Sequence, residues 1–181
     1  ERKELYRKYA EELVQKGLAY YAFDTPEELD QMRIQLRTES NPTPQYDHTV
    51  RMQMRNSLSI AKEELDELLQ KNTAHVIRIK MPEKEIVSFN DMIRGEVSFD
   101  TSVVDDKVLL HADGMPTYPL AVVVDDYLMK ITHAFRGEEW LPSAPVHVLL
   151  WKYLFGEENM PQWAHLPLIL GPTGKLSKRD G

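Results

Sequence analysis

Leu5, Tyr9 and Leu13 return every fourth residue across residues 1–16, with Tyr6 and Ala10 beside them. That spacing predicts an amphipathic helix with one apolar stripe. Gly17 ends it, and residues 18–23 form an aromatic, extended run. Thr25-Pro26-Glu27-Glu28 is a helix start, with a threonine cap, proline at the first helical position and a glutamate that closes a capping box. The helix that follows carries Leu29, Met32 and Leu36. Residues 40–47 contain two prolines and no periodicity, which predicts a loop. A further helix is expected over 59–71, with Ile60, Leu65, Leu68 and Leu69 on one side.

The period then changes. Over residues 75–81, Ile77, Ile79 and Met81 alternate with Val76, Arg78 and Lys80, the pattern of a half-buried strand. Residues 89–99, with Gly95 between two β-prone runs, predict a hairpin, and 108–110 a short strand. Asp113-Gly114 marks a turn. The unbroken apolar run 120–124 predicts a strand covered on both faces, with Pro119 as its first residue. Residues 131–135 read as another strand, 142–155 as a helix facing a core through Val146, Leu149, Leu150, Tyr153 and Leu154, and 166–170 as a third strand. Strand, strand, helix, strand is a piece of an α/β layered fold, with α+β material placed before it. The chain shows neither an internal repeat nor a low-complexity tract.

The 181 residues contain no cysteine, which removes disulfides, thiol catalysis and cysteine-held zinc or iron–sulfur centres. No stretch approaches the roughly 18 apolar residues of a membrane span, so no membrane partner is expected. With no signal peptide in view, the cytoplasm is the expected compartment. Lysine and arginine total 22 against 29 acidic residues, a net charge of −7. That balance opposes bulk capture of nucleic acid, so a polyanion needs a local basic patch. The chain opens at Glu1 inside a predicted helix and stops at Gly181 just past a basic loop, and it reads as an excised piece.

That loop is the most suggestive segment. Gly171-Pro172-Thr173-Gly174-Lys175-Leu176-Ser177-Lys178-Arg179 places three cations within five residues, after an apolar run, where ligands of open α/β sheets lie. It is not a phosphate loop, because two residues rather than four separate its glycines and Leu176 follows the lysine. A cationic clamp on a polyphosphate fits the residues, and so does a solvated, frayed end. Arg136-Gly137-Glu138-Glu139-Trp140 offers an arginine for a carboxylate, a carboxylate for ribose hydroxyls and a tryptophan wall for a base. A surface ion pair over a core tryptophan accounts for the same residues. Asp125-Asp126 has no third ligand nearby in sequence, and a capping or turn role suits it better than a metal. His48, His75, His111, His133, His147 and His165 show no metal-ligand spacing and are read as structural or surface residues.

Taken together, Asp113-Gly-Met-Pro-Thr-Tyr118, Val124-Asp-Asp-Tyr-Leu-Met129, Ile131-Thr-His133, Arg136-Gly-Glu-Glu-Trp-Leu-Pro-Ser143 and Lys175-Leu-Ser-Lys-Arg179 resemble the bacterial glutamyl-tRNA synthetases, in order and spacing across the whole chain. The segments around Leu5 to Leu13 and Phe23 to Leu29 look like the same family's entry into its inserted domain. The resemblance implies a class I aminoacyl-tRNA synthetase with a Rossmann-type α/β catalytic domain, split by an α+β connective domain that receives the tRNA acceptor end. Residues 1–16 would lead from the catalytic domain, 17–110 would form the connective insertion, and 111–181 the second half of the catalytic fold. It implies further that Lys175, Ser177, Lys178 and Arg179 close over the ATP phosphates. Tyr118 and Arg136 would bind glutamate, Arg136 on its side-chain carboxylate. Glu139 and Trp140 would meet ribose and adenine, Leu168 and Ile169 would flank the adenine, and Arg78 and Arg94 would touch tRNA. ATP with Mg2+, L-glutamate and the acceptor end of tRNA(Glu) are the implied substrates, with no zinc and a monomeric parent protein.

The family often has His-Leu-Ala-Asn after the tyrosine, where this chain has Pro119-Leu120-Ala121-Val122. The substitution removes an amide from the expected glutamate pocket. No His-Ile-Gly-His-type motif occurs, so the chain alone is not expected to aminoacylate. Two other readings fit parts of the pattern. One is an enzyme that glutamylates the queuosine base of tRNA(Asp). The other is a non-catalytic module that only binds the acceptor stem.

Overall fold

The computed structural model describes residues 1–171 together with 174 and 175. The chain divides into two compact units, one formed by Glu1–Glu85 with Asp100–Val122, the other by Ile86–Phe99 with the chain from Val123 onward.

In the first unit α1 spans Arg2–Gln15 and buries Tyr6, Ala10 and Leu13, one face at helical spacing. It stops in a Schellman motif: Gly17 takes a φ of 74°, its N–H donates to the Val14 carbonyl at 3.0 Å, and the Leu18 N–H donates to Leu13 at 2.9 Å. Strand β1, Ala19–Ala22, pairs antiparallel with β2, Val76–Ile79, and β2 in turn lies beside β5, Val108–Leu110, in the order β1-β2-β5. Helix α2, Pro26–Gln35, begins with the expected capping box. The Glu28 N–H donates to Thr25 Oγ1 and the Thr25 N–H to Glu28 Oε1, both at 3.1 Å. Tyr20, Ala22, Met32, Tyr46 and Val50 form a core there, flanked by Leu29 and Leu36.

Helix α3 starts later than its periodicity suggests, at Lys62, and ends at Gln70. Asn56 sets the delay. Its Oδ1 accepts from the Leu58 and Ser59 N–H groups, which turns the chain before the helix can begin.

The alternation predicted for β2 is also altered, because Arg78 is buried along with Ile77 and Ile79. The reason is a polar cluster inside the unit. Arg51 grips Asp106 with two bonds, Nε to Oδ2 at 2.8 Å and Nη2 to Oδ1 at 2.9 Å. The Tyr20 hydroxyl and the Met81 N–H donate to the same carboxylate. Arg78 Nη1 donates to the Asp106 carbonyl at 2.8 Å while its guanidinium lies 4.0 Å from the Tyr46 ring centre.

The run expected as a doubly covered strand is a helix. Helix α4 spans Tyr118–Leu128 and carries the chain from one unit into the other. Its buried residues Leu120, Val123 and Val124 stand at i, i+3 and i+4, so a helix buries them on one side despite the β-branching of the two valines. Pro119 falls in the first turn, where a missing N–H costs nothing. The C-terminal stop is again a Schellman motif, here with Lys130 at a φ of 55°.

In the second unit β3, Ile86–Asp91, and β4, Gly95–Asp100, form the expected hairpin, with burial alternating strictly along β3. They join β6, His133–Gly137, and β7, Gln162–Leu166, in a sheet of order β4-β3-β7-β6. Strand β7 runs parallel to both β3 and β6. The third strand therefore lies earlier than the predicted 166–170, because Trp163, Ala164 and His165 are the residues that find a core. Leu170–Gly171 (β8) instead pairs with Gly174–Lys175 (β9) in a two-residue ladder.

Helix α5, Ala144–Leu154, links β6 to β7, as a parallel pair requires. It is buried all round from Ala144 to Trp151, which fits its apolar composition. The result is α/β: parallel strands crossed by a helix, preceded by mixed α+β structure.

Candidate active site

The carboxyl ends of β6 and β7 are where open α/β sheets hold their ligands. Arg136 sits there on β6, directly beside His165 of β7 in the strand register. Arg136 is closely held. Its side chain is only 8% exposed. Nη1 donates to His147 Nδ1 at 3.0 Å, Nη2 reaches Asp126 Oδ2 at 3.4 Å, and the guanidinium carbon lies 5.1 Å from the Trp163 ring centre. Four elements thus hold one side chain: β6 carries it, α5 and α4 supply its polar partners, and β7 supplies the ring beneath.

The titratable groups around it are shifted in opposite senses. Burial first, then the charge of Arg136 and the nearness of His165, push His147 down to about 3. The imidazole is therefore neutral, and its Nδ1 can accept the arginine proton. Burial raises the Asp126 carboxyl above its usual value, with Arg136 opposing and Asp125 adding to the rise.

A second ion pair lies past the end of β6, where residues 138–143 form a 3-10 turn. Glu138 Oε2 takes a bond from Arg94 Nη2 at 2.6 Å, and its Oε1 accepts from the Leu168 N–H at 3.3 Å. The bond from Arg94, then the one from Leu168, hold the Glu138 carboxyl below the ordinary range. Glu138 thus ties the β3–β4 turn to the segment that follows β7.

Beneath it Asp91 is buried with His165. Burial works against the ionised Asp91, but the bond from His165 Nδ1 and the backbone N–H groups of Arg94, Ile93 and His165 outweigh it, and its carboxyl is held low.

The remaining expected residues fall as follows. Glu139 is exposed, Trp140 is 39% exposed and Ile169 71%, with Leu168 half-buried. Tyr118 belongs to the first unit, at the start of α4, and is 40% exposed. Arg78, expected to touch tRNA, is 8% exposed, with Nη1 bonded to the Asp106 carbonyl and the guanidinium over the Tyr46 ring inside the first unit. Arg94 is held by Glu138 and is a third exposed. Lys175 enters through its backbone pairing with Leu170. Ser177, Lys178 and Arg179 lie outside the described residues.

Sequence reasoning passed over Glu138, His147 and the Asp126–Arg136 pair. The available signal was His147, a polar residue within the apolar run 144–151, which must find a partner on burial. Among the described residues, no group of three or more His, Asp or Glu side chains is placed to hold a metal ion. Among them too, no helix is long and apolar enough to cross a membrane.

Arg136 is thus held near the carboxyl end of parallel strands crossed by a helix, the arrangement of an α/β protein. The family of tRNA synthetases class I (E and Q), catalytic domain, matches residues 1–181. The chain belongs to that family. Similar proteins include the glutamate–tRNA ligase of Cytophaga hutchinsonii, 57% identical over 99% of this chain and 35% of the relative, and that of Bacteroides thetaiotaomicron, 52% identical over 100% and 36%. Among solved structures, the glutamate-tRNA synthetase from Elizabethkingia anophelis aligns with a TM-score of 0.91 at 49% identity, covering 100% of this chain and 36% of that one. A glutamate tRNA ligase from Elizabethkingia meningosepticum, in complex with its amino acid, aligns equally well at 48% identity, over 99% of this chain and 36% of that one. The chain spans about a third of the length of the curated relatives it matches.

Proposed function

We propose that this chain forms part of a glutamate–tRNA ligase. The enzyme would join L-glutamate to ATP as glutamyl-adenylate, releasing pyrophosphate, and then transfer the glutamyl group to the 3′ end of tRNA(Glu). Arg136 carries the reading: a nearly buried cation at the carboxyl end of β6, in a chain similar over its whole length to glutamate–tRNA ligases.

Within this reading Arg136 binds the side-chain carboxylate of glutamate, and Tyr118 is a further glutamate residue. Glu139 meets the ribose, while Trp140, Leu168 and Ile169 bound the adenine, a role their exposure supports. Lys175, Lys178 and Arg179 neutralise the charge that develops on the departing pyrophosphate, with the Ser177 hydroxyl as a hydrogen-bond donor to it. Magnesium arrives with ATP as part of the substrate. The glutamate α-carboxylate attacks the α-phosphate, the bond to pyrophosphate breaks, and the tRNA terminal hydroxyl later displaces AMP from the adenylate. Residues 17–110 are the acceptor-binding insertion, entered through residues 1–16, with residues 111–181 as catalytic fold. Arg94 remains the candidate for the acceptor strand, and the enzyme acts as a cytoplasmic monomer.

The test is glutamate-dependent aminoacylation of tRNA(Glu) by the full-length protein and its Arg136→Ala variant. Loss of a charge-assisted carboxylate contact, about 1.5–3 kcal/mol, predicts a glutamate KM raised roughly 10- to 100-fold. An unchanged glutamate KM in a folded variant, or equal use of glutamine, would refute the assignment.

A further inference from the structure

We propose that His147 is a positioning residue for substrate recognition: by accepting from Arg136 Nη1 it aims the guanidinium at the carboxylate of the amino-acid substrate without cancelling the arginine's charge. The proposal rests on the reading that Arg136 binds that carboxylate.

Arginine is long and rich in rotamers, and holding it in one geometry costs side-chain entropy. Something must offset that cost before substrate arrives, or the substrate's own binding energy will be spent on it. Here the guanidinium is oriented by the 3.0 Å bond to His147 Nδ1 and by the Trp163 ring, 5.1 Å away. The carboxylate on it, Asp126, stands farther off at 3.4 Å.

The kind of partner matters as much as its position. A carboxylate in place of His147 would orient the arginine equally well, but it would neutralise it and compete with the substrate. An imidazolium could not accept at all. A neutral imidazole does the orienting alone, and burial beside Arg136 keeps His147 in that form. The neighbouring histidine shows the contrast. His165 stands beside Arg136 in the strand register, yet its Nδ1 is 2.7 Å from Asp91 Oδ2 and its contact is with the β3–β4 turn rather than with the arginine.

Leucine and asparagine are close in shape, and only asparagine offers an acceptor where Nδ1 lies. In the full-length protein, His147→Leu is expected to raise the glutamate KM about 10-fold, with kcat and the ATP KM within about threefold of wild type, the effect of one lost charged hydrogen bond. His147→Asn should recover most of the loss. His147→Glu should keep the arginine oriented but raise the glutamate KM by neutralising it.

A glutamate KM within twofold of wild type in folded His147→Leu overturns the proposal. Equal losses in the Leu and Asn variants, together with the ATP KM and kcat, show a structural role only and overturn it as well. If Arg136→Ala weakens glutamate while His147→Leu does not, the positioning role alone fails. If Arg136→Ala leaves glutamate binding intact, the underlying assignment fails. Should His147→Leu not fold, the imidazole nitrogen-15 spectrum of the wild-type protein decides: Nδ1 must be the unprotonated nitrogen near neutral pH, and a protonated Nδ1 overturns the proposal.

Discussion

Asp106 shows how much one side chain can hold. It is fully buried and meets Arg51 twice, the Tyr20 hydroxyl, and the Met81 backbone. Burial, followed by the charge of Asp106, raises the Tyr20 hydroxyl far above its ordinary value, so it serves as a permanent donor. Removing the carboxylate charge strands the Arg51 cation in a dry site. Asp106→Asn is therefore expected to cost about 3–5 kcal/mol, read as a lower urea midpoint with an unchanged slope. His147 yields a prediction in pH. Its ordinary pKa of 6.5 falls to about 3 in the folded chain, so the unfolded chain binds the extra proton as pH drops below 6.5. Stability should then decline by up to about 1.4 kcal/mol per pH unit from pH 6.5 toward 4.5, before the low-lying Asp91 begins to titrate. Asp126, raised by burial, works in the opposite sense, so the difference between wild type and His147→Asn isolates the histidine. Thermal melts at a series of pH values would show the variant's profile to be flatter. None of these partnerships was visible along the chain, because Arg51 and Asp106 lie 55 residues apart and Asp91 and His165 lie 74 apart.

Helix ends were far easier to foresee, because their signals are local. The capping box of α2 needs only Thr25 and Glu28, and Thr25→Ala should destabilise the chain by about 1 kcal/mol in chemical denaturation. Three helices stop in the same way, with a left-handed residue just past the end: Gly17 after α1, Asn72 after α3 and Lys130 after α4. Only the glycine announced itself. A lysine pays about 1 kcal/mol for that backbone conformation, so Lys130→Gly is expected to raise the melting temperature by a few degrees. The helical state of α4 is hidden in the sequence for a related reason. Five successive apolar residues carry no period, and β-branched residues lean toward strand. Only the burial of Leu120, Val123 and Val124 on one side distinguishes a helix.

The net charge of −7 belongs to the chain as a whole and opposes nucleic acid at long range. Any hold on a tRNA acceptor stem must come from a few local cations. For an acceptor-stem duplex titrated into this chain, log K against log salt should fall with a slope no steeper than about −3, the effect of roughly three phosphate contacts. A slope near −6 would reveal a basic face that the charge pattern conceals. Caps, the α1 stripe, the capping box and the β3–β4 hairpin could all be read directly, since each depends on residues within a few positions of one another. The helical state of α4, the burial of Arg78, the pairing of Arg94 with Glu138 across 44 residues and the setting of Arg136 came only from tertiary structure. The physical reason is desolvation. A polar group taken out of water accepts whatever partner the fold brings within 3 Å, and no local pattern records which partner that will be.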